Sequence, residues 1–103
     1  MKISDIAAGR AGDKGDVLDL TLVAYDDEGY RTLAQRVHAR DVEQWLAHVA
    51  PSPVVRYELA NVRALKFVAG QALAGGVYRS LHAGMHWQKA AIWLLLDKEL
   101  PDA

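Results

Sequence analysis

At 103 residues the chain is long enough for one domain with a modest core, and too short for a buried multi-step active site with a lid of its own. Hydrophobic residues make up 51% and charged residues 24%, a globular balance that excludes disorder. A formal charge of −1 leaves no net field to draw nucleic acid or anionic lipid, so neither is an expected partner. The absence of cysteine excludes disulfides, thiolate catalysis and a Cys-type zinc site.

The opening residues Met1-Lys2-Ile3-Ser4-Asp5 lack a long apolar region, and the longest apolar run, Ala90 to Leu96, is far short of a membrane span. The expected location is therefore cytoplasmic. Ile3 to Ala8 reads as a short first strand. Arg10-Ala11-Gly12-Asp13-Lys14-Gly15-Asp16 follows as a polar, glycine-punctuated loop, with four charged side chains in seven positions. A connecting turn has no need of so much alternating charge, which makes this stretch the first candidate for a binding site.

Val17 to Tyr25 alternates at period two, with Leu18, Leu20, Leu22 and Ala24 on one face and Asp19 and Thr21 on the other. Asp26-Asp27-Glu28-Gly29 ends that strand. Tyr30, Leu33, Ala34 and Val37 then form one stripe of an amphipathic helix, with a hairpin return as the rival. A second stripe, Val42, Trp45, Leu46 and Val49, follows Asp41, which with Gln44 predicts a helix cap. Pro51-Ser52-Pro53 stops that helix, and Val54 to Leu59 is read as a strand.

Asn61 is placed to cap a third helix bearing Leu65, Val68, Ala69 and Ala72, ended by Gly75-Gly76. Val77 to Leu81 reads as extended. Trp87 to Leu96 is apolar on nearly every side, which predicts a buried helix, with a central strand as the rival. Periodicity by itself therefore gives mixed α and β.

Arg10 and Lys14, with Arg79 and Ser80 and the amides of Gly12, Gly15, Gly75 and Gly76, have the chemistry to cradle a phosphate or carboxylate. The same residues fit a ligand-free arrangement in which Asp13 and Asp16 neutralise Arg10, Lys14 or Arg79 and knit two loops together. The spacing excludes a nucleotide-type phosphate loop, which needs four residues between its glycines and a hydroxyl after the lysine. Asp13 with Asp16 is read as charge-paired with the adjacent Lys14 and Arg10, and His82 with His86 lacks a third ligand, so neither a metal nor another cofactor is expected. Asp13 and His86 remain as candidate proton carriers.

Three motifs in order resemble the AtuA-like ferredoxin-fold domain family, found at the C-terminus of acyclic terpene utilisation AtuA-like proteins and as free-standing short chains. The family pattern RSGDKGD stands here as Arg10 to Asp16 with Ala11 for serine; R-Y-E-L-P-N stands as Arg56 to Asn61 with Ala60 for proline; and a glycine pair leading to R-S-L stands as Gly75-Gly76 and Arg79-Ser80-Leu81. The chain departs from the family at Gly84, where an aspartate is usual, at Trp87, where a glycine is usual, and at Asp19, where an asparagine is usual.

The resemblance implies an α+β fold, a small mostly antiparallel sheet with helices on one face, filling a single domain over residues 1–103. It further implies a role near acyl-CoA chemistry. The expected function is an accessory subunit paired with a larger AtuA N-terminal-like chain, with an acyl-CoA or carboxylate ligand. The alternatives are a hydratase or lyase in which Asp13 or His86 moves protons, and a structural homo-oligomer.

Overall fold

The computed structural model describes residues 1–14, 17–47, 53–70 and 87–100. A 3-10 turn, Ile3–Asp5, leads into strand β1 (Ala7–Lys14), which pairs with β2 (Val17–Ala24). Two helices follow, α1 (Asp27–Arg36) and α2 (Ala39–Trp45). Then come β3 (Val54–Leu59), a 3-10 turn at Ala60–Val62, β4 (Ala64–Ala69) and a last helix, α3 (Trp87–Leu96). The strands form one sheet in the order β1-β2-β4-β3, every pair antiparallel.

The antiparallel pairings make β2 and β3 parallel to one another, separated by β4 and joined through α1 and α2. That is a split βαβ unit. In the same way β4 and β1 are parallel with β2 between them, and α3 packs against β1 and β2. This second unit is closed by contacts between the chain ends. The Leu100 amide donates to Met1 O at 2.7 Å and the Ile3 amide to Lys98 O at 3.0 Å, while Lys2 Nζ meets Asp97 Oδ1 at 2.8 Å. The fold is α+β and ferredoxin-like, as expected.

Alternation in β2 is realised position by position: Leu18, Leu20, Leu22 and Ala24 are buried, and the residues between them are half-buried. Leu20 stands opposite Phe67 and Leu22 opposite Leu65, so the two central strands bury one common face. Against that face the helices set Leu33, Val37, Val42, Leu46, Ile92 and Leu95. Asp26 caps α1 by accepting the Gly29 amide at 2.7 Å, and the helix, not the rival hairpin, buries Leu33.

Four expectations are corrected. The first strand begins later than expected and runs on through Arg10 to Lys14, so most of the charged motif is strand rather than loop. Gly9 explains part of this, because its missing side chain lets α3 approach β1 closely. Asp41 is not a cap but lies inside α2, its carboxylate accepting the amide of His38, the capping residue, at 2.9 Å. The helix expected from Asn61 onward is strand β4, held between β2 and β3, with Leu65, Phe67 and Ala69 alternating inward. Arg63, at φ 56, supplies the left-handed turn from β3 into β4.

Finally, over residues 91–96 α3 buries one side and exposes the other. Ala91, Ile92, Leu95 and Leu96 are inside, whereas Trp93 is 62% exposed.

Candidate functional site

Because the helices cover one face of the sheet, side chains of the opposite parity form a second face that none of the described helices covers. The register brings four of them into one row across all four strands: Arg10 on β1 faces Thr21 on β2, Thr21 faces Lys66 on β4, and Lys66 faces Tyr57 on β3. With strands about 4.8 Å apart, the row spans about 14 Å. One step along, Gly12 faces Asp19.

Lys66 Nζ lies 2.9 Å from Asp19 Oδ2, a half-exposed pair that contributes at most about 1 kcal/mol to stability but fixes the carboxylate in place. Among the described residues the other oxygen, Oδ1, receives only a long 3.4 Å hydrogen bond from Thr21 Oγ1. Arg10 is exposed and makes no ion pair or hydrogen bond among the described residues. Arg10, Ala11, Gly12, Asp19 and Thr21 line a shallow depression of about 220 Å³. Chemically it offers a guanidinium with no partner among the described residues, a hydroxyl and a carboxylate already partly neutralised.

Of the residues expected from sequence, Arg10 and Gly12 lie in this depression. Asp13 and Lys14 continue β1, paired with Leu18 and Val17. Gly15, Asp16, Gly75, Gly76, Arg79, Ser80 and His86 lie outside the described residues. Among the described residues no group of three or more His, Asp or Glu side chains is placed to hold a metal ion.

Thr21, Lys66 and Tyr57 were not among the expected site residues. Alternation in β2 already set Asp19 and Thr21 opposite the leucines, so the signal for Thr21 was present. Lys66 was hidden by reading its segment as a helix. Arg56, in the second family-like motif, faces the helices instead: its Nη2 donates to Ala34 O at 2.8 Å and its Nη1 meets Glu58 Oε2 at 2.9 Å, tying β3 to α1. Its neighbour Tyr57, half exposed, belongs to the face that no described helix covers.

A second, more apolar groove of about 330 Å³ lies where α3 crosses β1, walled by Ser4, Gly9, Tyr25, Ile92, Trp93 and Leu96. No described helix is long and apolar enough to cross a membrane. In comparison with known proteins, the family model of the AtuA ferredoxin-like domain matches residues 1–101, essentially the whole chain. No curated protein and no solved structure matches.

Proposed function

The chain belongs to the AtuA ferredoxin-like domain family, and on that premise we propose that it is a small accessory subunit that holds an anionic ligand on its uncovered sheet face. The ligand is an acyl-CoA or a carboxylate, and the partner is a larger chain that resembles the AtuA N-terminal region. Acyl-CoA chemistry of terpene or branched-acid breakdown is the setting that the family resemblance implies.

The observation that supports this reading is Arg10, a guanidinium with no described partner, set beside a hydroxyl and an open strand glycine on a face that no described helix covers. A site of this kind is shallow and exposed. It suits a module that completes a binding surface together with another chain better than it suits catalysis, which depends on excluding water.

Co-elution of this chain with an AtuA N-terminal-like chain that lacks its own C-terminal domain tests the reading, run with and without a CoA thioester. A stable complex, strengthened by the thioester, is the expected result. Two independent monomers under all conditions, with no thioester or carboxylate bound by either mixture, would overturn it.

A further inference from the structure

We infer that the depression around Arg10 selects a short hydroxycarboxylate, or the hydroxyacyl end of a longer one, over the same acid without its hydroxyl. The inference rests on the anion-site reading above and adds a second point of recognition, Asp19.

Three observations carry it. Asp19 has unspent acceptor capacity among the described residues: one oxygen is held by Lys66 at 2.9 Å, but the other has only the 3.4 Å contact from Thr21, well beyond the usual O–H···O length of about 2.7–2.8 Å. Gly12, directly opposite Asp19, is required neither by backbone nor by packing. It has no left-handed φ, and a Cβ built on it would meet nothing within 4 Å. A strand glycine with open space above it leaves its backbone accessible to a ligand at close range. Finally, Asp19 lies diagonally across from Arg10, two residues along β2 from Thr21, a spacing of about 7–8 Å between such positions.

A ligand that bridges these two side chains must present unlike groups. Arg10 takes the carboxylate. At Asp19 an acceptor would meet like charge, so that end must be a donor. An ammonium there would face Lys66, which already occupies the carboxylate, whereas a neutral hydroxyl donates to Oδ1 without repulsion. The short diagonal between the two strand positions, about 7–8 Å, keeps the bridging part of the ligand short.

Calorimetric titration of the intact chain with matched pairs, 3-hydroxybutyrate against butyrate and lactate against propionate, reads the preference directly. The hydroxy acid of at least one pair is expected to bind roughly tenfold tighter. Asp19→Ala should erase that preference. Gly12→Val should remove binding of both acids while leaving the melting temperature unchanged or higher, since the added side chain meets open space and suits a strand. Equal binding of both acids by the wild type overturns the inference and leaves the anion-site reading standing. Binding of neither overturns both. A preference that survives Asp19→Ala, or wild-type binding by Gly12→Val, also overturns the inference, because the ligand is then held elsewhere.

Discussion

The Cβ that Gly9 lacks would stand 2.5 Å from Ile92 Cγ1 and 3.0 Å from Leu96 Cδ1. Glycine at this position is therefore a packing requirement, since it sets how closely α3 lies on the edge strand that also carries Arg10. Ile92 is buried, and Cγ1 is too near its backbone to swing aside. Gly9→Ala should destabilise the domain by about 1–3 kcal/mol. Chemical denaturation of Gly9→Ala, Ile92→Ala and the double variant would show it, with the double variant losing less than the sum of the two.

Asp26 gives an independent test of local structure. Its carboxylate accepts the Gly29 amide at 2.7 Å, one of the unpaired donors at the start of α1. Asp26→Ala should cost about 1 kcal/mol, and Asp26→Ser should recover most of it. Thermal melts of the two variants suffice.

The clasp between the chain ends predicts a pH dependence. The hydrogen bond with Lys2, followed by the charge attraction between them, holds the Asp97 carboxyl below its ordinary value of 3.8, and the same two causes in the same order hold the Lys2 ammonium above 10.5. Asp97 therefore contributes stability above 3.8 that is lost as pH falls through its lower folded value. Lys2 contributes stability below 10.5 that is lost as pH rises through its higher folded value. Both groups are exposed, so the contribution is small and weakens with salt. Melting temperature against pH should flatten at both limbs in Lys2→Met.

Association is expected as well. Tyr25 and Trp93 are 61% and 62% exposed and flank the edge strand β1, and large exposed aromatics beside a sheet edge favour a partner. Sedimentation at micromolar concentration should give a dimer or larger, reduced towards monomer by Trp93→Ser. A monomer throughout the wild-type series would count against it.

How much of this was legible in the sequence differs by element. Strand β2 could be read because only one of its faces is buried, which imposes strict alternation on Leu18, Leu20 and Leu22. Strand β4 could not, because Leu65, Val68 and Ala69 also satisfy a helical stripe. Its strand state is decided by pairing on both sides, with partners distant in sequence. The charged motif stands out by composition, and two of its residues, Arg10 and Gly12, line a depression, but glycines beside charges point equally to a loop and to an open strand. Gly9 serves helix packing, and Gly12 serves neither packing nor backbone. Lys66 joined the site only once the register was known.

Calorimetric titration of a CoA thioester and simple carboxylates into the wild type, Arg10→Ala and Lys14→Ala, with melts of all three, tests the central claim most directly. Charge-assisted hydrogen bonds to a ligand predict a loss of on the order of 1–3 kcal/mol in binding for each variant, with the melting temperature of Arg10→Ala unchanged because Arg10 is exposed and has no described partner. The contrary result is a lowered melting temperature with binding untouched, or no binding by the wild type alone or with its partner. In that case Arg10 and Lys14 serve the fold alone, and the sheet face that no described helix covers is an interaction surface without an anion site.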